Sequence, residues 1–277
     1  VADSVILASG GFEANDELRK FYIGDNWLKA KVRGTPHNTG DGLKMALKIG
    51  ATKHGLYNGC HATPMDLHMK NYGDLNLEPS ERKNYRKICY FLGIMINANG
   101  KRFLDEGKNF RNYTYAQYGK RVLDQPGHFA WQIFDSKVFD LLYDEYIFHD
   151  AHFIEADTIN ELIKKMDGVD KTETNKTIDQ YNNSVDLNTT FDPTILDGKS
   201  TKGLEIEKSN WAQKIDQGPF KAFPVTGGIT FTYGGLKVDK NGSVLDIKNN
   251  PIKGLFACGE LVGGVFFNGY PGGSGLT

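Results

Sequence analysis

Residues 254–277, with the sequence GLFACGELVGGVFFNGYPGGSGLT, constrain the fold more than any other stretch of the chain. They begin with a short apolar run at 255–258, which predicts a buried strand. The glycines that follow would let backbone N–H groups closely approach a flat or anionic group. Residues 273–277 predict the start of a helix, whose N-terminus favours a phosphate or an electron-rich ring edge. Spacing alone leaves two interpretations open, a cofactor site and a tight turn without a ligand.

A second strand that ends in glycine lies near residue 10. Residues 4–8 predict an apolar strand that runs into a turn at Gly10 and Gly11. A short helix is predicted at 15–21, with Asn15 or Asp16 as its N-cap. A polar loop at 37–42 then leads into a helix predicted at 42–49. This loop is either an ordinary capped helix start or a contact with a cofactor.

Composition narrows the class of protein. A chain of 277 residues can hold two domains, and its formal net charge of −1 argues against a general nucleic-acid partner. No apolar run has the length of a membrane span, so we expect a protein that does not itself cross a membrane. Cys60, Cys89 and Cys258 lack metal-ligand spacing and predict reduced, mostly buried thiols in a cytoplasmic protein without a metal site.

The middle of the chain is more polar and more aromatic than either end. The patterns predict a strand at 90–97, a turn at Asn99 and Gly100, a returning strand at 101–104 and a helix at 110–123. A strand at 129–134 and helices at 158–165 and 170–185 follow, the first helix opening with a capping box of Thr158 and Glu161. Residues 223–232 predict a strand, and 235–239 with 244–247 a hairpin.

Three of these segments resemble one family of flavoproteins. VILASGGF at 5–12, NTGDG at 38–42 and GLFACGE at 254–260 are similar to motifs of the fumarate reductase/succinate dehydrogenase flavoprotein superfamily. Within that superfamily, NGYPGGSGLT at 268–277 most resembles the tricarballylate dehydrogenase branch. The resemblance covers nearly the whole chain and implies FAD as the cofactor.

The resemblance also implies a fold. We expect an α/β plus α+β protein, with a discontinuous Rossmann-like FAD-binding domain at 1–55 and 223–277 and an inserted α+β capping domain at 56–222. The family holds the FAD pyrophosphate on a βαβ unit with a G-x-G-x-x-G loop, a motif that this sequence does not contain. We therefore expect the sequence to be a fragment of a longer protein.

Cofactor-binding residues follow from the same resemblance. Glu260 resembles the acidic residue that bonds the flavin ribityl chain. The other residues expected to line FAD are Gly10, Gly11, Thr39, Gly40, Asp41, Gly259, Gly272, Gly273, Ser274 and Leu276.

Flavin-dependent desaturation of a carboxylic acid requires a group that handles a proton and fixed cations that hold the carboxylates. Arg111 resembles the arginine that donates the proton in fumarate reductases, and His61 resembles their carboxylate-binding histidine. A guanidinium is a poor acid at neutral pH, so Arg111 is either a carboxylate clamp or a proton carrier. A surface arginine at a helix start is the alternative without a catalytic role. Arg86 and Thr232 are further candidates for substrate binding.

Two positions depart from the fumarate reductase pattern. Thr230 stands where those enzymes have a histidine, and Tyr270 stands where they have an arginine. The loss of two cationic groups disfavours plain fumarate reduction. Tyr270 is similar to a tyrosine that polarises the ketone in 3-ketosteroid dehydrogenases, whereas Thr230 and Tyr270 together would hydrogen-bond a carboxylate.

The sequence therefore predicts an FAD-dependent oxidoreductase that desaturates a small polycarboxylate, with tricarballylate oxidised to aconitate as the first expectation. A 3-ketosteroid-type dehydrogenase and a fumarate reductase-like enzyme are alternatives within the same class. A catalytically incomplete fragment that only binds carboxylate is the alternative outside it. The expected partners are a small carboxylate substrate and an electron-acceptor protein or quinone.

Overall fold

The computed structural model describes residues 2–276, with the backbone only for Leu276. The chain divides into two compact units. The first unit comprises the residues up to 62, residues 70–82 and those from 228 onward, and the second comprises residues 63–69 and 83–227.

Eleven strands and six α-helices are formed within the described residues. The strands are β1 (Val5–Leu7), β2 (Lys31–Val32), β3 (Lys53–His54), β4 (Cys60–Asp66), β5 (Ile94–Asn97), β6 (Ala130–Asp135), β7 (Ile154–Ala156), β8 (Phe220–Thr232), β9 (Gly235–Leu236), β10 (Ser243–Leu245) and β11 (Pro251–Ala257). The helices are α1 (Asp16–Tyr22), α2 (Asp41–Lys48), α3 (Arg111–Leu123), α4 (Asp144–Ile147), α5 (Ile159–Lys165) and α6 (Lys171–Ser184).

A small sheet organises the first unit. Strand β1 runs parallel to β11, and β11 pairs antiparallel with β10 on its other edge. Strand β3 pairs with β9, and β2 runs parallel to the last part of β8, with Val32 opposite Ile229. Helix α2 packs its apolar stripe into this unit because its buried residues recur on one face. The core contains Phe12, Leu43, Ala46, Leu236, Val244, Leu255, Ala257 and Leu261.

An antiparallel sheet with helices packed on it forms the core of the second unit. Strand β6 pairs with β5 on one side and with β8 on the other, and β7 pairs with the far edge of β8. Helices α5 and α6 contribute Leu162, Ile163, Ile178 and Tyr181 to the same core as the sheet residues Ile94 and Ile133. The predicted α/β plus α+β fold class is confirmed.

Short-range signals at the helix starts are confirmed. Asn15 caps α1 by accepting the Leu18 N–H at 3.0 Å. The Thr158 hydroxyl oxygen accepts the Glu161 N–H at 3.3 Å, as the capping box predicts. Asp170 caps α6 by accepting the Glu173 N–H at 2.9 Å. These contacts join residues three apart, so local sequence is sufficient to specify them.

The strand predicted at 90–97 and its returning partner at 101–104 differ from the structure. Tyr90–Leu92 is a turn of 3-10 helix, the strand begins only at Ile94, and residues 101–104 form no strand. The turn at Gly100 is present, with Asn97 N–H donating to the Lys101 carbonyl oxygen at 2.9 Å. Beyond it, a carboxylate oxygen of Glu106 accepts the Met95 N–H at 2.8 Å. That side chain takes the donor that a returning strand would have used.

The hairpin predicted at 235–239 and 244–247 is confirmed, and its two segments also pair with other strands. Val238 lies opposite Val244, the Asp239 N–H donates to the Ser243 carbonyl oxygen at 3.0 Å, and the Leu245 N–H donates to the Lys237 carbonyl oxygen at 2.9 Å. Strand β10 also pairs with β11, and β9 pairs with β3. Alternating apolar residues mark a strand but do not specify which edge it joins.

The expectation of mostly buried thiols is wrong for one cysteine. Cys89 is buried, and burial raises the pKa of its thiol to about 12. Cys60 is partly buried, whereas Cys258 is exposed because it lies just past the end of β11. Among residues 2–276, no group of histidine, cysteine and carboxylate side chains is arranged to hold a metal ion. None of the described helices combines the length and apolar character needed to cross a bilayer.

We expect the second unit to depend on its sheet core. Ile133 is fully buried, so Ile133→Ala should lower the free energy of unfolding by about 2–5 kcal/mol. Ile195 is 54% exposed, so Ile195→Ala should change the free energy of unfolding by less than about 0.5 kcal/mol. Chemical denaturation of both variants measures the difference, and equal effects would contradict the assigned core.

Candidate functional site

The ends of two neighbouring parallel strands define the candidate cofactor site. In the β1–β11 pair, Val5 lies opposite Leu255 and Leu7 opposite Ala257. Both strands therefore finish at the same edge, where β1 leads to Gly10 and Gly11 and β11 leads to Gly259 and Glu260. Ligands of open α/β sheets bind outside the carboxyl ends of their strands. The predicted glycines and Glu260 thus lie where such a site is expected.

Gly11 permits an unusually close approach of three segments. A Cβ atom at this position would lie 2.1 Å from Glu260 Oε1 and 2.2 Å from Thr232 Oγ1. The Thr232 N–H donates to Glu260 Oε1 at 2.8 Å, and its hydroxyl donates to the same oxygen at 3.3 Å. Thr232, predicted to bind substrate, is thus placed as a partner of Glu260. A residue with a side chain would force the carboxylate away from the turn.

Glu13 is a second acidic side chain in this cluster and was missed by the motif comparison. It is 3% exposed, and one of its oxygens accepts a hydrogen bond from the Asn38 amide. Burial and the neighbouring charge of Glu260 raise the pKa of Glu13 to about 8. Burial also raises the pKa of Glu260. A carboxyl residue directly after a Gly-Gly-Phe turn is the sequence signal that could have identified it.

The polar loop before α2 lies beside the same turn. A Cβ atom on Gly10 would lie 2.8 Å from the Asn38 side chain. The Asn15 amide donates to the Thr39 carbonyl oxygen at 2.9 Å, which joins the loop to the start of α1. The Thr39 hydroxyl donates to Asp41 at 2.8 Å, and Gly40 adopts a φ of 77°. The predicted residues Thr39, Gly40 and Asp41 therefore belong to one hydrogen-bonded loop.

The last predicted cofactor residues form a short exposed turn. Ser274–Leu276 is a single turn of 3-10 helix, and the Ser274 hydroxyl donates to the Pro271 carbonyl oxygen at 2.7 Å. Gly272 and Gly273 are exposed, and a Cβ atom on Gly273 or on Gly259 would meet nothing within 4 Å. The Leu276 side chain lies outside the described part of the chain. The open space beside Gly259 and Gly273 leaves room for a ligand.

His61 and Tyr270, two predicted catalytic residues, lie together in an aromatic cluster of His61, Phe231, Tyr233, Phe266 and Tyr270. The His61 ring stacks on Phe231, with 5.0 Å between ring centroids, and meets Tyr270 edge-on at 4.8 Å. Phe266 contacts Phe231 at 5.7 Å, Tyr233 at 5.8 Å and Tyr270 at 5.1 Å. The Tyr270 hydroxyl oxygen accepts the Gly275 N–H at 3.2 Å, which connects the cluster to the terminal turn.

Thr230 lies next to this cluster in sequence but presents its side chain elsewhere. Successive side chains of a strand alternate between its two faces, and Phe231 is the residue of β8 that contacts His61 and Tyr270. The Thr230 hydroxyl is buried and has no hydrogen-bond partner within residues 2–276. The structure therefore does not join Thr230 and Tyr270 by a hydrogen bond. A buried hydroxyl without a partner is a group that a ligand can satisfy.

The two predicted arginines of the second unit differ in their partners. Arg86 is bound to Glu145, with its Nε atom at 3.0 Å and its Nη2 atom at 2.5 Å from one carboxylate oxygen. Arg111 begins α3, and its Nε atom donates to the Tyr143 hydroxyl at 2.8 Å. Its guanidinium carbon lies 4.9 Å from the centre of the Tyr143 ring. No acidic residue of the described chain forms an ion pair with Arg111, which leaves its charge available to an anion.

The residues of the first unit fit FAD. The glycine turns leave backbone and open space at the strand ends, and Glu260 supplies an acceptor for a hydroxyl group. Gly10, Gly11, Gly259 and Glu260 would hold the cofactor at this edge.

We expect Gly11→Ala to disrupt the cofactor site. The added methyl group would displace the Glu260 carboxylate, an overpacking change that typically costs about 1–3 kcal/mol. FAD affinity, measured by fluorescence quenching, should fall by about tenfold or more. Gly34→Ala is the matched control because a Cβ atom there meets nothing within 4 Å. An unchanged affinity in Gly11→Ala would contradict the assigned site.

The amino-acid sequence of the chain is similar to those of several known oxidoreductases. The chain is 32% identical over 283 residues to a fumarate reductase (cytochrome) of Shewanella frigidimarina, covering 100% of the chain and 43% of the relative. It is 28% identical over 306 residues to a 4-oxocyclohexanecarboxylate 2-dehydrogenase of Sinomonas cyclohexanicum, covering 98% of the chain and 48% of the relative. The chain therefore spans less than half the length of these two curated relatives.

A solved structure and a family profile agree with these relatives. The fold matches 3-ketosteroid Δ1-dehydrogenase from Sterolibacterium denitrificans with a TM-score of 0.70 and 26% identity, covering 99% of this chain and 50% of that one. The profile described as FAD binding domain matches residues 1–276. With this match over nearly its whole length, the chain belongs to the FAD binding domain family, whose cofactor is FAD.

Proposed function

We propose that this chain forms part of an FAD-dependent oxidoreductase that converts a carbon–carbon single bond of a small polycarboxylate into a double bond. Tricarballylate, oxidised to aconitate, is the substrate that we propose first. The observation that carries the carboxylate assignment is Arg111, a half-buried cation whose charge no described acidic residue neutralises.

Arg111 is better suited to this role than Arg86 or Arg102, two other arginines of the second unit. Arg86 is neutralised by Glu145, and Arg102 by Glu106. The Tyr143 hydroxyl and ring hold the Arg111 guanidinium in place. A fixed guanidinium presents two parallel N–H donors to a carboxylate, which positions the substrate as well as attracting it. We propose Arg111 as the carboxylate clamp, and a direct part in proton transfer as its second role.

The first unit contributes the remaining proposed contacts. His61 and Tyr270 would bind a substrate carboxylate or polarise a carbonyl group from the aromatic cluster. The buried Thr230 hydroxyl would donate to an oxygen of the ligand. Residues 56–222 are proposed as the capping domain inserted into an FAD-binding domain of residues 1–55 and 223–277.

The chemistry divides between the cofactor and the chain. When bound, FAD supplies the acceptor for a hydride from one carbon. The proton on the adjacent carbon must leave through a group of the protein, and the carboxylates must stay fixed while it does so. Orientation and charge neutralisation are therefore the tasks of the chain. An electron-acceptor protein or a quinone is the proposed partner that reoxidises the flavin.

A second candidate function follows from the aromatic cluster. Its rings pack on one another as a largely apolar cluster, and such surroundings suit a cyclic ketone better than a charged acid. Two of the similar proteins are named for cyclic ketone substrates, a ketosteroid and an oxocyclohexanecarboxylate. We therefore propose a 3-ketosteroid-type dehydrogenase as the alternative, with Tyr270 donating to the ketone oxygen. In a fumarate reductase-like enzyme the same residues would serve the reverse reaction.

Anaerobic titration of the flavin distinguishes these functions. The full-length protein that carries this chain is loaded with FAD and titrated separately with tricarballylate and with a 3-ketosteroid. We expect tricarballylate to bleach the flavin absorption and the steroid to leave it unchanged. Bleaching by the steroid alone would replace the first proposal with the second. A flavin that responds to neither compound, and that fumarate does not reoxidise after reduction, would contradict both.

Replacement of Arg111 tests its proposed role. Arg111→Gln removes the charge but keeps a polar side chain, and we expect the rate of flavin reduction by tricarballylate to fall by about 100-fold or more. Arg121→Gln is the matched control because Arg121 is exposed on the same helix. The control should keep its rate within about twofold. Equal rates in the two variants would remove Arg111 from the site.

A further inference from the structure

The carboxyl groups of Glu13 and Glu260 are close enough to interact with each other. Glu13 is almost fully buried and Glu260 is partly buried, and neither forms an ion pair with any lysine, arginine or histidine of the described chain. One Glu13 oxygen, Oε2, is buried and accepts no hydrogen bond from any donor group of residues 2–276. Two adjacent carboxylates in such a place are expensive unless one of them carries a proton.

Hydrogen bonds distinguish the two groups. Glu260 accepts from the Thr232 N–H at 2.8 Å and from the Thr232 hydroxyl at 3.3 Å, and the Gly11 N–H also stabilises its charge. Glu13 accepts from the Asn38 amide. More donors therefore stabilise the charge of Glu260, and the proton belongs on Glu13. In agreement, the pKa of Glu13 is raised to about 8, chiefly by burial and then by the charge of Glu260.

The other ionisable groups on the neighbouring elements have their own partners or are exposed, so they do not neutralise Glu13 or Glu260. On α1, Asp16 and Arg19 form an ion pair with each other. Beside Asn38 in the loop, His37 is exposed, and Asp41 is exposed and accepts from Thr39. On β8 and at the end of β11, Thr232 and Glu260 are the groups that face the cluster.

We propose that Glu13 is a positioning residue for FAD: as the protonated partner of Glu260, it holds the Glu260 carboxylate in one orientation as an acceptor for a hydroxyl group of the cofactor. The position at the carboxyl ends of β1 and β11 supports this role, because Glu13 follows the turn at Gly11, Glu260 follows Gly259, and the Glu260 carboxylate lies against Gly11. Loss of the proton places two negative charges side by side, which turns the acceptor away and weakens FAD binding.

The direction of the pH effect follows from proton linkage. A carboxyl group whose pKa is raised from 4.5 to about 8 binds its proton more tightly in the folded state than in the unfolded state. Stability from this group is present below the ordinary carboxyl range and is lost as the pH rises through about 8. If FAD binding requires the same proton, the affinity for FAD should fall as the pH rises through about 8. This pH effect concerns FAD binding alone and does not depend on which substrate the enzyme oxidises.

The test measures FAD affinity against pH in the full-length protein. Between about pH 6.5 and pH 9.5 we expect the Kd of the wild type to rise by about tenfold. Glu13→Gln keeps the shape and donates a hydrogen bond without titrating, so its Kd should stay within about threefold of the low-pH wild-type value. Glu17→Gln, an exposed carboxyl on α1, is the matched control and should follow the wild type.

Several results would overturn the proposal. One is a wild-type Kd that does not change with pH, and another is a Glu13→Gln variant with the same pH dependence as the wild type. A variant that flattens the pH dependence of thermal stability but not that of FAD affinity would show a structural acid without a positioning role. If Glu13→Gln does not fold, infrared spectroscopy of the wild type decides. The proposal requires a protonated carboxyl band that disappears near pH 8 in the wild type and at a lower pH in Glu260→Gln.

Discussion

The contact between Gly11, Thr232 and Glu260 is the constraint on which the cofactor site depends. These residues come from the end of β1, the end of β8 and the end of β11, and the site forms only where all three meet. The contact requires that residue 11 has no side chain, because a Cβ atom would lie 2.1 Å from a carboxylate oxygen. The same closeness buries the carboxylate, which explains why a second carboxyl group beside it must hold a proton.

Local features of the fold were predictable from sequence because their causes are local. Asn15, Thr158 and Asp170 cap helices through bonds to residues three positions away. The features that were not predicted depend on competition between groups that are distant in sequence, or between alternative strand partners. No pattern shows that a Glu106 oxygen will take the Met95 N–H and so remove the strand expected at 101–104. Nor does alternation reveal that β10 pairs with β11.

The residues of the candidate site also differ in whether local sequence predicts them. Glycine spacing and the resemblance to flavoproteins predict Glu260 and the turns around it as cofactor contacts, since those residues lie in contiguous motifs. No local pattern predicts a role for Glu13, because its interaction partner Glu260 lies far along the chain. The pairing of Arg86 with Glu145, 59 positions apart, has the same origin. Phe231 emerged as a partner of His61 and Tyr270 only from the direction that its side chain takes on β8.

The cofactor is assigned to the end that β1 and β11 share. The most direct test is an experimental structure of the full-length protein with FAD, in which the distance from the Glu260 carboxylate to the nearest cofactor hydroxyl is measured. We predict a hydrogen bond of about 2.5–3.0 Å. A cofactor bound elsewhere, with Glu260 still hydrogen-bonded only to protein groups, would contradict the account.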